Sequence, residues 1–334
     1  MKNIRKHSFI LLLLTIGILF FVLKDNFSEI VSVLLQMNSW YILVSILLII
    51  LYWLFKAISK YFIVKEYSEK IKFKTIVKQT IITKFFNGVT PFSSGGQPME
   101  IYMLKKSGLS LAKSTNIILQ NFLVYQIVLV LYGIFAIIMN YKFNYFESVP
   151  LLRKLVFLGF FINTLVCVVT CIICFWKKAS KGIVDFILKF VIKLKLIKDV
   201  DKITGKINKK VTDFQESADF LLKRKKTVLK SLIANLLGLT VFYSIPLFIL
   251  MGMGNTFSMN LLSVITSSAY VLLIGSFVPI PGGTGGIEFG FMSFFGTFIT
   301  GSALSALLLV WRFVTYYFGI IVGGITFSFY KGDE

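Results

Sequence analysis

Negative charge is scarce in this chain. Fifteen Asp and Glu stand against 36 Lys and Arg, giving a formal net charge of +21 over 334 residues. Histidine occurs once, at His7, and cysteine three times, at Cys167, Cys171 and Cys174. A metal centre needs several convergent His, Cys, Asp or Glu. The three Cys share one face of an apolar run with no such residue near them, so they read as small packing residues. No metal site, no cofactor and no catalytic residue is expected, and nothing suggests a disulfide framework. There is no Gly-rich phosphate loop of the P-loop type, so active transport would draw on an ion gradient.

Charge of either sign is also low. Charged residues make up 15% of the chain, against about 25% in soluble domains. In their place the chain is 56% apolar, with a mean hydropathy of +0.81. Several runs reach the ~18 residues that span a bilayer core. The expected fold is an all-α integral membrane protein, one transmembrane domain over 1–334 with about seven spans. These are placed at about 8–23, 40–58, 112–140, 154–176, 228–251, 259–278 and 303–329. The basic start (Lys2, Arg5, Lys6) and first run resemble a signal peptide, but Lys24, Asp25 and Asn26 follow where small residues would mark cleavage. The run reads as an uncleaved span.

The basic residues sit in the gaps between runs. Lys56, Lys60, Lys65, Lys70, Lys72, Lys74 and Lys78 follow the second span, and 177–230 carries sixteen Lys/Arg and six Asp/Glu. Cytoplasmic loops collect such residues and meet anionic lipid, so no nucleic-acid partner is needed to explain the charge. In 177–230, apolar residues recur at helical spacing (Ile183, Phe186, Ile187, Phe190, Val191), which suggests amphipathic helices on the membrane surface. The N-terminus, 56–78 and 177–230 are therefore expected in the cytoplasm. The links 24–38, 140–152 and 252–258 are expected outside. Counting 259–278 as a full span places the C-terminus outside; if 287–300 also spans, it moves inside.

Two Pro/Gly segments interrupt the apolar pattern. Pro91 is followed after three residues by Gly95 and Gly96, and Pro281 likewise by Gly285 and Gly286. Ser93 and Ser94 lie inside the first, and Gly282, Gly283 and Thr284 inside the second. A carboxylate follows each, Glu100 and Glu288. The matching contexts suggest an internal repeat: one half over about 1–140, a return helix and basic amphipathic segment over about 153–227, and a second half over about 228–330. Repeats of this kind place discontinuous helices and a binding site at their interface.

The residue types fit that use. Pro removes a donor and stops a helix, and Gly permits positive φ and close backbone approach. The freed N–H and C=O groups must be buried in protein or face a wet cavity. Helix N-termini at such a break could hold a phosphate oxygen. The segments are thus expected to be re-entrant. Arg312 lies mid-way along the last span and is one of four Arg among 32 Lys. A charge there costs at least ~2.5–3.5 kcal/mol and normally has a partner. Glu288, Glu100 and a lipid phosphate are the candidates, since Arg grips carboxylate or phosphate with two parallel bonds. Lys84 and Lys105 flank the first break and could draw an anionic head group inward. Asn116 and Gln120 share a helix face and could line the same cavity; hydrogen bonding between helices explains them equally well.

The PFSSGGQP segment, the PIPGGTGGIEFG segment and the Trp311-Arg312 pair resemble the transmembrane half of lysylphosphatidylglycerol synthase, also called the flippase domain of multiple peptide resistance factors. The resemblance covers nearly the whole chain. It implies a cytoplasmic-membrane protein linked to antimicrobial-peptide resistance, with an anionic or aminoacylated phospholipid as partner. In bifunctional members a soluble domain transfers lysine to phosphatidylglycerol, and the membrane half is thought to move the product outward. Here the sequence stops at Glu334, and 177–230 is too short for that domain. The expectation is a lipid flippase, with phosphatidylglycerol lysyltransferase or another membrane transferase acting on a lipid phosphate as the alternative. Association with itself or with a cell-envelope lipid enzyme is left open.

Overall fold

In the computed structural model, residues 27–146, 150–176, 223–254, 259–276 and 278–330 are described, with four single positions between 177 and 222. The expected span at 8–23 and the surface helices of 177–222 lie outside these residues. The described elements are helices α1 (Phe27–Gln36), α2 (Ser39–Lys65), α3 (Phe73–Gly88), α4 (Gly96–Lys106), α5 (Leu111–Phe143), α6 (Pro150–Phe175), α7 (Lys225–Gly252), α8 (Leu261–Gly275), α9 (Gly286–Phe295), α10 (Gly301–Arg312) and α11 (Phe318–Ser328). Single 3₁₀ turns at Pro91–Ser93 and Pro281–Gly283 divide α3 from α4 and α8 from α9. A π turn at Phe313–Tyr317 joins α10 to α11.

The chain is an all-α integral membrane protein. Among the described residues five helices are long and apolar enough to cross a bilayer: α2, α5, α6, α7 and the continuous α10–α11. Three details differ from the sequence reading. The link 24–38 contains α1, which packs on α10. The run 259–278 is only fifteen residues of helix, because the backbone leaves the helix before Pro279. Helix α2 does not stop near residue 58 but runs to Lys65, so Lys56 and Lys60 lie inside a span and not in a loop. Their partners, given below, explain how a helix carries two ammonium groups at that depth.

Polar caps set the helix starts. The Asn38 side chain accepts the Trp40 N–H, and Ser110 accepts the Lys113 N–H at 3.3 Å. Asn260 and Ser263 satisfy each other's backbone donors in a capping box, the usual way to hold orphan helix N–H groups.

Helices α2 and α7 form the most extensive contact in the fold, and their ends fix their direction. The Asn38 N–H donates to Gly252 O at 2.9 Å at one end, and Arg224 pairs with Glu66 at the other. The two helices are therefore antiparallel. One face of the protein carries Lys65, Glu66 and Arg224; the opposite face carries Asn38 and Gly252. Between the ends, Ser59, Ser231 and Asn235 form a buried cluster, with Ser59 Oγ 2.6 Å from Ser231 Oγ and Asn235 Nδ2 donating to Ser59 Oγ at 2.5 Å. Each such bond contributes about 0.6 kcal/mol in a membrane interior.

Two hairpins too short to span flank this pair. Helix α3 starts near the basic face, after the short link from α2, and α8 starts near the opposite face, after the short link from α7. At 1.5 Å per residue they reach about 24 Å and 22 Å, less than a hydrocarbon core of about 30 Å. Their tips meet: the two 3₁₀ turns are in contact, and Tyr316 Oη donates to Gly88 O at 2.8 Å. The packing is reciprocal, with α3 lying along α11 of the second half and α8 along α5 of the first. Phe85 and Phe86 contact Phe327, and Lys78 Nζ sits 5.1 Å over the Tyr330 ring. The end of α11 thus lies on the basic face, beside the start of α3. Counting 259–278 as a full span would have put it on the other face.

Candidate functional site

The two Pro/Gly turns share a backbone as well as a position. Pro91 and Pro281 each start a 3₁₀ turn after an extended residue. The next two residues take the left-handed conformation in both: Phe92 and Ser93 at φ 52, Gly282 and Gly283 at φ 66 and 63. The second turn meets this with glycine, whereas the first holds two ordinary residues there. Left-handed non-Gly residues are strained and gather at functional sites. The turns diverge afterwards, since Ser94 is helical and Thr284 extended.

Three glycine N–H groups at these turns already have partners within the protein. The Gly95 N–H donates to Thr90 Oγ1 at 2.8 Å and the Gly96 N–H to Asn87 Oδ1 at 2.9 Å. The Gly285 N–H donates to Glu288 Oε2 at 2.7 Å. Each break thus meets at least one of its freed donors from within, as a polar group away from water requires.

Arg312 pairs with Glu288, one of its three expected partners. Nε donates to Oε1 at 2.6 Å and Nη1 to Gly282 O at 3.2 Å, and both side chains are buried. Nη2 is 2.5 Å from the same Oε1 but off the line of a hydrogen bond. Glu288 therefore ties three things together: the last span, its own helix start and, through Arg312, the second turn. The guanidinium also lies 4.8 Å over the Tyr316 ring, and Tyr316 holds the first hairpin's tip. The π turn that follows Arg312 brings both residues to this point, a common role for such turns.

Glu100 does not share Arg312. It pairs with Lys60 of α2 at 2.5 Å and accepts Thr83 Oγ1 at 3.2 Å. Lys60 is 1% exposed, so without Glu100 it would be an isolated buried charge. The two carboxylates that follow the two motifs have thus taken separate cations.

Two cavities open around the meeting tips. The central one, 480 Å³, is walled by Lys84, Gln126, Asn163, Gly282, Gly283 and Arg312, among others. The side cavity, 380 Å³, is walled by Lys56, Lys60, Thr83, Lys84, Glu100 and Asn121, among others. Tyr52, Lys84, Asn87, Phe92, Ser93 and Tyr125 belong to both. Lys84 stands at the junction, its Nζ 4.9 Å over the Tyr52 ring. Lys56 Nζ donates to Asn235 Oδ1 at 3.3 Å and lies 3.4 Å over the Tyr125 ring. Among the described residues neither lysine has a carboxylate partner. Tyrosine faces ease the cost of a buried ammonium without cancelling its charge.

Of the residues singled out from the sequence, Ser93, Gly282, Gly283, Arg312, Lys84 and Glu100 line these cavities. Pro91, Ser94, Gly95, Gly96, Pro281, Thr284, Gly285, Gly286 and Glu288 shape the turns and helix starts behind them. Asn116 and Gln120 line neither, and Gln120 donates to Tyr67 Oη at 2.7 Å. The polar residues of α5 that do reach the cavities are Asn121 and Gln126; Gln126 bonds Asn163, and Asn163 bonds Ser276. Lys105 is exposed at the end of α4. Lys56, Lys60, Tyr52 and Tyr125 were missed. Their signal was available: Tyr52, Lys56 and Lys60 recur every four residues, one stripe of a helix.

The family model for the lysylphosphatidylglycerol synthase transmembrane region matches residues 8–323. The chain belongs to this family. A UPF0104 membrane protein of Archaeoglobus fulgidus is 22% identical to it over 324 residues, 95% of each chain. The family match takes in both hairpins, both turns and every cavity residue named above, so these features lie within the family's shared membrane region.

Proposed function

We propose that this family member translocates lipid head groups across the cytoplasmic membrane, taking an aminoacyl-phospholipid or a related lipid phosphate. The observation that carries the reading is the meeting of two hairpins, each too short to span and inserted from opposite faces, at cavities lined by cations. Such half-helices with a site between repeats belong to alternating-access transporters. The matching turns and reciprocal packing support an inverted repeat, α2–α5 and α7–α11. A buried cationic cavity within a membrane is costly unless an anion visits it. The central cavity also includes Val166 of α6, which is exposed on the outside of the bundle, so its wall extends toward the lipid. Acyl chains would stay in the membrane while the head group enters. The basic face is the cytoplasmic one by its Lys and Arg content.

The test is leaflet exchange of fluorescent phospholipids in liposomes containing the purified protein. Wild type accelerates exchange over empty liposomes, and Lys84→Ala slows it by about ten-fold, the effect of losing one charge-assisted bond to phosphate. Exchange equal to empty liposomes for every phospholipid tried would overturn the proposal.

A further inference from the structure

We infer that the head group taken at these cavities is an anionic phosphate without an amino group to balance it, and that Lys56 and Lys84 are the residues that receive it. The inference depends on the translocator reading for its lipid anchor. It depends on the charges around the cavities for its head group.

Four cations border the two cavities: Lys56, Lys60, Lys84 and Arg312. Two carboxylates oppose them, and both are committed. Glu288 gives one oxygen to Arg312 and the other to the Gly285 N–H. Glu100 is matched by Lys60. Glu100 is the one described carboxylate in either wall, with Glu288 behind the second turn. Lys56 and Lys84 are therefore the two left without a carboxylate partner among the described residues.

Those two share the side cavity, and Lys84 opens to the central one as well. Both sit against tyrosine rings, and Ser93 and Asn121 supply neutral polar groups in the same wall. An entering phosphate would meet two ammonium donors and would offset their charge in a low-dielectric setting, where such pairing is strong. An aminoacylated head group brings one phosphate and one or two ammonium groups. Its ammonium would need a carboxylate, and the cavity offers only Glu100, already beside three lysines. The charge arrangement thus favours a phosphate-only head group. It assigns Glu100 and Glu288 to holding the site's shape rather than to reading a cation.

The test is competition in phosphatidylcholine nanodiscs containing the full chain. Fluorescent phosphatidylglycerol is displaced by unlabelled phosphatidylglycerol, phosphatidic acid or lysyl-phosphatidylglycerol, and by soluble glycerol phosphate. The two anionic lipids are expected to compete at least about ten-fold better than the lysyl lipid. Lys56→Gln and Lys84→Gln should each weaken the anionic lipids about ten-fold and narrow that gap, while Lys84→Arg retains the preference. Equal or better competition by the lysyl lipid would overturn the inference, and needs no variant to see. Unchanged affinity in both Gln variants would overturn the assignment to these lysines. Equal competition by glycerol phosphate would replace a lipid with a free phosphate. Leaflet exchange separates this from the function itself. Exchange of the lysyl lipid alone defeats the inference and leaves the translocator. A preference for anionic lipids with no exchange of any lipid defeats the translocator and leaves the site.

Discussion

Glu288 does more work for the fold than any other acidic residue described. Its two oxygens hold a guanidinium from α10 and the first donor of its own helix, and Arg312 passes the link on to the Gly282 carbonyl. Removing one partner of a buried pair leaves the other charge stranded, at a cost of about 3–5 kcal/mol. We expect Glu288→Ala to lose that much, measured as unfolding free energy in detergent micelles. Arg312→Ala should lose somewhat less, because Glu288 keeps the Gly285 N–H. The Glu288→Ala, Arg312→Ala double variant should be destabilised by clearly less than the sum, since contacting charges couple by about 0.5–3 kcal/mol. Additive losses would show that the two do not act as a pair. Arg312 and Glu288 were legible from the sequence because a charge in an apolar run needs a partner. Lys60 and Glu100 were not read as a pair, since Lys60 looked like the first residues of a basic loop. Only the tertiary partner decides whether a lysine at a span's end stays in the helix or leaves it.

At the level of elements, the two Pro/Gly turns carry the most information in the sequence, and they ask different things of their glycines. Gly282 has φ +66, and a Cβ added there would collide with the Tyr316 ring. Tyr316 in turn holds Gly88 of the other tip. Gly285 has φ +89, but open space surrounds the position of its missing Cβ. An L residue at Gly285 meets only backbone strain, of about 1–3 kcal/mol for so sparsely populated a conformation. At Gly282 it meets the milder left-handed strain, about 1–2 kcal/mol, and also pushes the tips apart. Gly282→Ala should therefore cost more stability than Gly285→Ala and should depress leaflet exchange further, with Tyr316→Phe, which loses only the hydrogen bond, in between for exchange. Equal effects of the two glycine variants would mean that the tip contact is unimportant. The turns themselves were visible as PxxxGG, and so was the need to satisfy freed backbone groups. What the spacing could not tell was how they are satisfied. Thr90, Asn87 and Glu288 meet the Gly95, Gly96 and Gly285 N–H groups from within.

For the whole molecule, the open question in the sequence was direction. Hydropathy finds apolar length, but a hairpin arm buried against other helices is as apolar as a span. The run 259–278 looked long enough to cross because its apolar composition continues past Gly275, where the helix ends. Three observations now fix the faces. Asn38 meets Gly252, Glu66 meets Arg224, and Lys78 meets Tyr330. The first pair marks one face, and the other two mark the basic face. Helix α8 begins near the first face, turns at the tip and returns as α9; Gly301 starts the last span from there, and its 28 residues carry the chain to the basic face. The end of α11 then lies on the basic face, together with the link from α2 to α3. This is checked in inverted and right-side-out membrane vesicles, with single cysteines in a variant whose native cysteines are replaced. Tyr330→Cys and Ser68→Cys should react with an impermeant maleimide from the same side, and Thr300→Cys from the other. Labelling of Thr300→Cys from the same side as Ser68→Cys, with Tyr330→Cys reacting from the other, would mean that the chain crosses the membrane at the α8–α9 hairpin. The second hairpin would then be a span, and the inverted repeat on which the translocator reading rests would fail with it.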